Sequence, residues 1–305
     1  MKKHLISVQS GDWYDESNDD ASMKYAAECG VEALDFNIDH IMNTKSYAEG
    51  TAHYELCDKS TEEFVQHFAP LKAASEKYGV AFSQMHAPFP IYFPGQDDVN
   101  DYIVEMLKKV IATCGYVNCP ALVIHPYVYA NDEEAVKINF EIYKKLIPAA
   151  KEHKVKICLE NLFKGHKECI FSNVRDAVEM IDMLNEEAGG DVFGFCLDLG
   201  HANFLRRDVR EFVRVLGKRL TVLHIHDNNG NGDSHLIPFT QTDNWGTKYT
   251  TDWEGFIAGL RDIGYEGNLS FETFRGLKLI PKDAQKEALC LITAIGRYLR
   301  RRIEE

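Results

Sequence analysis

Two patterns of apolar and polar positions alternate along this chain from one end to the other. Short apolar runs rich in β-branched and aromatic residues predict strands, and eight occur, at 4–10, 31–38, 80–88, 121–128, 156–162, 192–200, 220–227 and 268–274. Amphipathic stretches between and after them predict helices, at 20–30, 60–79, 97–115, 132–153, 173–189, 208–218, 252–264 and 281–305. Several helical stretches begin at Asp, Ser or Asn and end at Gly, as helix caps require.

The spacing of these units favours a closed parallel barrel. The 305 residues hold eight strand–helix units, or about 38 residues per unit, which is typical of the (β/α)8 fold. An open doubly wound sheet is the alternative. The barrel is favoured because candidate ligands stand at the ends of at least six strand runs, and only closure brings that many ends to one mouth. We predict a single α/β domain over residues 1–305, a TIM barrel.

The chemistry concentrates where strand runs end. Four runs in the second half end in a metal-ligand side chain, namely Glu160, Asp198, His224 and Glu272. Because side chains alternate faces along a strand, each shares the inward face with the residue two positions earlier, as Glu160 does with Cys158. Oxygen and imidazole donors suit a divalent cation, and clustered buried acids would repel one another without one. The sequence therefore predicts a metal site at the barrel mouth.

Five more side chains are additional candidates for metal or substrate binding: His86, His125, His201, Asp233 and His235. The last two lie in a Gly/Asn-rich loop that can fold back over the mouth, with an Asx-stabilised turn as the ordinary alternative. His226 has the inward parity of His224 but lies past the predicted strand end, so we rank it below His224. Aromatic residues near strand ends could stack on a sugar, and Lys248 and Arg275 are candidates for an anion. The aromatic candidates are Trp13, Phe89, Tyr127, Phe163 and Trp245.

Composition limits which binding partners and which cellular compartment we expect for this protein. The net charge of -13 disfavours nucleic acid, whose binding depends on neutralising phosphates. Eight scattered cysteines without a C-x-x-C pair predict reduced thiols. The first ten residues lack the apolar stretch of a signal peptide, and no apolar run reaches the length of a membrane span. We predict a cytoplasmic protein with a small-molecule substrate and no organic cofactor, and leave open whether it forms a homo-oligomer.

Short motifs in order along nearly the whole chain carry a resemblance to a known family. They resemble the xylose isomerase-like TIM barrels, which comprise sugar and sugar-phosphate isomerases and epimerases together with the AP endonucleases. The matching segments are MHAPF at His86, VIHPY at His125, LEN at Glu160, LDLGH at Asp198, HIHDNNGNGDSH from His224, DW at Asp252 and FET at Glu272.

The isomerase branch implies a one-metal enzyme. There the resemblance places Glu160, Asp198, His224 and Glu272 around one Mn, Co, Mg or Zn ion, with His201 contacting substrate. Both glutamates would do acid/base work, moving a proton between adjacent carbons through a metal-stabilised enediolate. The substrate would be a sugar or sugar phosphate. Gly230 stands where the epimerases carry an arginine, and the segment 238–249 is longer than usual, so the substrate within this class stays open.

The endonuclease branch implies a different activity for the same residues at the barrel mouth. Its trinuclear zinc site uses nine ligands, and this sequence is similar at all nine, the four central ligands and the five additional candidates. A phosphodiesterase of this kind is the alternative, and the acidic charge favours the isomerase over it. A non-catalytic carbohydrate-binding barrel is a third reading. It predicts the loss of one paired glutamate, whereas both are present.

Overall fold

Eight strands form the centre of the protein, for which a computed structural model describes residues 4–129, 132–165 and 167–305, without the side chain of His40. The strands are β1 Ile6–Gln9, β2 Ala33–Asn37, β3 Ala81–His86, β4 Ala121–Ile124, β5 Lys156–Glu160, β6 Phe193–Asp198, β7 Leu220–His224 and β8 Leu269–Phe271. All pairs are parallel, in the order β7-β6-β5-β4-β3-β2-β1-β8.

The backbone of Ile225, immediately after β7, joins the two ends of this sheet. Its N–H donates to the Ser270 carbonyl at 2.8 Å, and its carbonyl accepts from the Glu272 N–H at 3.1 Å. A parallel bridge pairs Ile225 with Phe271. The predicted single (β/α)8 barrel is therefore confirmed.

Helices surround the strands, and several short helices lie within the connections between them. They are α1 Asp19–Glu28, α2 Thr44–Ala48, α3 Glu55–Asp58, α4 Thr61–Gln66, α5 Ala69–Tyr78, α6 Asp97–Tyr116, α7 Asp132–His153, α8 Val174–Ala188, α9 Leu199–Phe204, α10 Val209–Leu216, α11 Trp253–Asp262, α12 Phe274–Lys278 and α13 Gln285–Glu304. Short 3-10 turns cover Asp39–Ile41, Gly217–Arg219 and Lys282–Ala284. Within the described part of the chain, no helix is both long enough and apolar enough to cross a membrane.

The helix predicted over 60–79 is wrong as one element. It is two helices, α4 and α5, with Pro70 in the first turn of α5. Proline has no N–H to donate within a helix, and it is tolerated in the first turn because the N–H groups there have no intrahelical partner. The short helices α2, α3, α9 and α12 were not predicted, since four to six residues are too few to show a helical period.

The barrel interior has two halves of different character. On the β4–β7 side, inward residues form an apolar cluster of Ala121, Val123, Cys158, Cys196 and Val222. On the β8–β3 side, the buried inward residues are polar. There, Ser7 Oγ lies 2.6 Å from Ser83 Oγ, and Ser270 Oγ donates to Asp35 Oδ2 at 3.1 Å. The inward parity predicted for Cys158, Cys196 and Val222 agrees with their place in this cluster.

Candidate metal centre

The carboxyl ends of the strands bring the predicted central ligands to one mouth. Glu160, Asp198 and His224 are the last residues of β5, β6 and β7, and Glu272 follows β8. Asp198 lies level with His224 in the register between β6 and β7. All four are buried, with Glu272 the most exposed at 7%.

The His224 ring lies between the two glutamates. Its Nδ1 is 3.2 Å from Glu160 Oε2 and 3.4 Å from Glu272 Oε2. Ligand atoms of Asp198, His224 and Glu272 all lie within 4.8 Å of one another. Atoms bound about 2.0–2.3 Å from one ion lie up to about 4.6 Å apart, so this group is close to the spacing that one cation requires.

His86 and His125 join Glu160 in a second group. His86 Nε2 lies 2.9 Å from His125 Nε2, and His125 Nε2 lies 3.2 Å from Glu160 Oε2. His86 Nδ1 is 2.9 Å from the Ala87 carbonyl, so it carries the proton and leaves the Nε2 lone pair facing the mouth. Burial, reinforced by His125, holds the pKa of His86 well below its usual value. Neutral imidazole is the form that binds metal.

The loop after β7 completes a third group. His235 Nε2 lies 2.9 Å from Asp233 Oδ2, and His201 Nε2 lies 3.6 Å from Asp233 Oδ1. His226 Nε2 is 3.1 Å from both carboxylate oxygens of Asp198, and its ring stacks on His235 at 4.0 Å between centroids. The structure therefore brings together all nine residues of the predicted site, and His226 with them.

The two glutamates differ in proton affinity. Burial would raise the pKa of Glu160, but the neighbouring His125 and His224 hold it well below its usual value. Burial raises the pKa of Glu272 to about 7, against the attraction of His224 and His235. Paired carboxyl groups whose environments separate their pKa values are a common arrangement for acid/base chemistry.

Several buried polar atoms at the barrel mouth have no hydrogen-bond partner. Of eleven such side-chain atoms identified among the described residues, seven belong to this site: Asp35 Oδ1, both Glu160 carboxylate oxygens, both His224 ring nitrogens, His226 Nδ1 and Asp233 Oδ1. Buried polar atoms without a hydrogen bond are costly and uncommon. A cation bound among them would remove that cost for several at once. The oxygen and imidazole donors fit a divalent ion such as Mg, Mn, Co or Zn.

Three side chains that support the ligands were missed in the sequence. Gln9 Nε2 donates to Glu272 Oε1 at 2.6 Å. Asp35 Oδ2 lies 3.2 Å from His224 Nε2, and Gln84 Nε2 donates to Asp35 Oδ2 at 3.0 Å. The available signal was a polar residue inside an apolar strand run, on the inward face. The backbone of His226 lies past the strand, as predicted, and its side chain turns back to the mouth, 3.1 Å from Asp198.

A cavity of about 470 Å³ opens above the ligands, a volume that suits a small molecule. Its walls include the predicted aromatic residues Phe89, Tyr127 and Phe163, and also Phe274 and Arg275. The Phe89 ring lies 4.5 Å from that of His125, and Phe274 lies 4.6 Å from His235.

The other aromatic and cationic candidates lie elsewhere. The Trp13 indole is buried and donates to the Gln9 carbonyl at 2.9 Å. Trp245 is 87% exposed, and Lys248 lines a separate outer groove beside Trp253 and Tyr298. Neither Trp245 nor Lys248 is part of the mouth cavity.

Sequence comparison finds the same family that the motifs indicate. A family model described as xylose isomerase-like TIM barrel matches residues 23–294. The inosose isomerase of Bacillus subtilis strain 168 is 25% identical over 190 residues, which cover 61% of this chain and 65% of that protein. An uncharacterized protein of Methanocaldococcus jannaschii is 28% identical over 206 residues, covering 62% and 63%. The chain thus spans slightly less than two thirds of the length of these curated relatives.

Solved structures share the fold over nearly the full length. The 3-keto-D-glucoside 4-epimerase of E. coli superposes with a TM-score of 0.70 at 14% identity, covering 97% of this chain and 100% of that one. A D-tagatose 3-epimerase-like protein gives 0.68 at 22% identity, covering 98% and 99%. The IOLI protein with a bound zinc atom gives 0.67 at 18% identity, covering 97% of each.

Proposed function

Because the chain belongs to the xylose isomerase-like TIM barrel family, we propose that it is a divalent-metal-dependent isomerase or epimerase of a small sugar. The observation that carries the proposal is that carboxylate oxygens of Glu160 and Glu272 both lie beside His224 Nδ1, 3.2 and 3.4 Å away. The inosose isomerase among its sequence relatives supports the same class of chemistry. The small cavity above these carboxylates suits a monosaccharide.

Glu160, Asp198, His224 and Glu272 would hold the ion. When bound, a divalent cation would stabilise negative charge developing on two neighbouring substrate oxygens. The aromatic walls, Phe89 among them, would pack against the apolar face of the sugar ring and limit the access of water.

The two carboxylates would move the proton. One removes it from a carbon next to the substrate carbonyl, and the other delivers a proton to the adjacent carbon or to the opposite face. Glu160, whose pKa is held well below its usual value, is a charged carboxylate at neutral pH. Glu272, with a pKa of about 7 before metal binds, suits either direction of transfer near neutral pH.

A trinuclear phosphodiesterase is the second candidate, and one observation favours it. The ligand atoms form several neighbouring groups, including His86 with His125 and Glu160, and His201 with Asp233 and His235. Against it stand the net charge of -13 and the aromatic cavity, because a DNA duplex requires a cationic surface to hold its phosphates.

Metal content and solvent exchange together test the proposal. The protein purified without added metal should carry one exchangeable divalent ion per chain. In D2O it should incorporate deuterium into one member of a panel of free ketoses, inososes and sugar phosphates. Three zinc ions per chain together with nicking of an abasic duplex would favour the phosphodiesterase. Failure of the metal-loaded protein to exchange any member of the panel would count against the isomerase.

A further inference from the structure

Asp35 is a buried carboxylate below the mouth that belongs to none of the ligand groups. It lies in β2, and its Oδ2 is 3.2 Å from His224 Nε2, the ring nitrogen that faces away from the glutamates. The angle there does not yet give a formed hydrogen bond, since His224 Nε2 has no hydrogen-bond partner. A small rotation of the ring would align the two groups.

The chain aims and fixes this carboxylate. In the pairing of β2 with β3, Leu34 stands opposite Phe82 and Asp35 opposite Gln84, so β3 carries one extra residue, Ser83. Bulges of this kind redirect side chains next to functional sites, and this one sets Gln84 beside Asp35. Two donors then hold Asp35 Oδ2: Gln84 Nε2 at 3.0 Å and Ser270 Oγ at 3.1 Å. Gln84 Nε2 also donates to the carbonyl of Leu223 at 3.2 Å, so one amide links Asp35 to the residue before His224.

The placement determines which nitrogen of His224 is available. A carboxylate on the Nε2 side favours a proton on Nε2, and this leaves the Nδ1 lone pair directed between Glu160 and Glu272. Histidine ligands commonly donate their other N–H to a carboxylate, which fixes the ring and raises the basicity of the binding nitrogen. A buried carboxylate also needs hydrogen-bond donors, and His224 Nε2 lies within reach of Asp35 Oδ2, beside the donors Gln84 and Ser270.

We propose that Asp35 is a positioning residue that orients His224 for metal binding through Nδ1 and thereby raises the affinity of the site for its cation. The inference rests on the metal dependence in the proposed function. Asp35 belongs to none of the ligand groups and does not line the mouth cavity, so it would act through the imidazole.

Zinc affinity tests this role directly, by competition with a chromophoric chelator at fixed pH. Asp35→Ala removes both the charge and the acceptor, and should weaken zinc binding by about 10- to 100-fold. Asp35→Asn keeps the volume and one acceptor oxygen, so its affinity should fall between those of Asp35→Ala and the wild type. Circular dichroism without metal checks that each variant is folded.

Ser83→Ala is the matched control. Ser83 lies in the same polar half of the interior, where its Oγ contacts Ser7 Oγ at 2.6 Å and the Leu34 carbonyl at 3.3 Å. Its loss should leave zinc affinity unchanged. A second readout is a crystal structure of the zinc-loaded protein, where zinc should sit on Nδ1 with Nε2 about 2.8 Å from Asp35.

The possible results separate the two proposals. Folded Asp35→Ala with wild-type affinity would overturn the role of Asp35, as would zinc bound through Nε2. If Asp35→Ala does not fold, wild-type zinc affinity in Asp35→Asn would likewise overturn the role of Asp35. If Ser83→Ala weakens zinc binding as much as Asp35→Ala does, the cause is general damage to the barrel interior. That result would also overturn the proposed role of Asp35. Failure of the wild-type protein to bind any divalent ion would remove the proposed function and this inference together.

Discussion

At the scale of single residues, Glu160 and Glu272 are similar side chains in different electrostatic settings. Glu160 Oε2 has three imidazole rings within 3.9 Å, those of His86, His125 and His224. Glu272 Oε2 has two, those of His224 and His235 at 3.4 and 3.5 Å, and its Oε1 accepts from the uncharged Gln9 amide at 2.6 Å. At Glu160 burial is outweighed by the attraction of His125 and His224, which lowers the pKa, whereas at Glu272 burial outweighs the attraction of His224 and His235 and raises the pKa.

Replacing either glutamate should stop proton transfer. Glu160→Gln and Glu272→Gln keep the size of the side chain but cannot accept a proton, so exchange of solvent deuterium into a bound ketose should fall by at least about 100-fold. The measurement is the substrate mass shift in D2O. Glu266→Gln, at an exposed position, is the control and should exchange normally. Undiminished exchange in both site variants would rule out the paired-carboxylate mechanism.

Position 200 requires glycine because the His226 ring packs directly against its Cα. A Cβ at position 200 would lie 1.9 Å from His226 Cε1. Gly200→Ala should therefore displace the ring from Asp198 and lower the free energy of unfolding by about 1–3 kcal/mol, as measured by urea denaturation. Gly190→Ala is the control, because no atom lies within 4 Å of its Cβ position. Equal stability of the two variants would show that the ring moves aside without penalty.

Strand parity predicts most of the site from the sequence at this scale. Glu160, Asp198 and His224 end apolar runs on the inward face, and alternation alone places them together. Parity could not reveal Asp35 as a partner of His224, because that contact crosses the barrel between β2 and β7. A sequence shows which face a side chain takes, but not which distant strand it meets.

At the scale of elements, the loop from 228 to 251 depends on the residue just before it. The Asp227 carboxylate accepts from the backbone N–H groups of Thr240 and Gln241 at 3.0 Å each, and from Thr251 Oγ1 at 2.7 Å. Its backbone pairs with Leu236 through hydrogen bonds of 2.8 and 2.9 Å. One residue therefore holds both the segment that carries Asp233 and His235 and the segment that leads to α11.

Asp227→Ala should loosen this loop without opening the barrel. Each lost hydrogen bond to a charged acceptor contributes about 1.5–3 kcal/mol, so limited proteolysis within 228–251 should become faster, and metal affinity should fall as Asp233 and His235 lose their positions. Asp243→Ala is the control. The Asp243 carboxylate accepts from Trp245 and Thr247 at the loop tip, so metal affinity should stay unchanged. Equal metal affinity in the two variants would contradict this dependence on Asp227.

Long helices and strands were predictable at this scale, and short helices were not. The 20 residues of α6 show their apolar face, and period and length together identify it. Helix α9 has six residues and is capped by Asp198, whose carboxylate accepts from the His201 N–H at 2.6 Å. That capping contact makes a short helix out of what the pattern presents as the end of a strand.

At the scale of the whole molecule, buried acids and histidines meet at one end of a barrel in a chain of net charge -13. The eight-unit repeat predicted the barrel, because its period is long and extends along the whole chain. The repeat could not predict the division of the interior into an apolar and a polar half. That division depends on single side chains, such as serine at positions 7 and 83 and valine at position 123.

Removing the metal should destabilise the entire fold. A ligand present at about 1,000 times its dissociation constant stabilises a protein by about 4 kcal/mol, and here it would also relieve the repulsion among Glu160, Asp198 and Glu272. The melting temperature should therefore drop by several degrees in a chelator and recover when zinc or manganese is restored. Calorimetry with and without chelator makes the measurement. No change in melting temperature would contradict a tightly bound ion.

The closing hydrogen bonds of Ile225 have a further consequence for how the site can be observed. Ile225 stands between His224 and His226, and its N–H donates to the Ser270 carbonyl at 2.8 Å across the junction of β7 with β8. Any local opening of that junction separates His224 from Glu272 at the same moment. The rate at which this single amide exchanges with D2O would thus report how often the ligand shell comes apart, and bound metal should slow it more than it slows amides elsewhere in the strands.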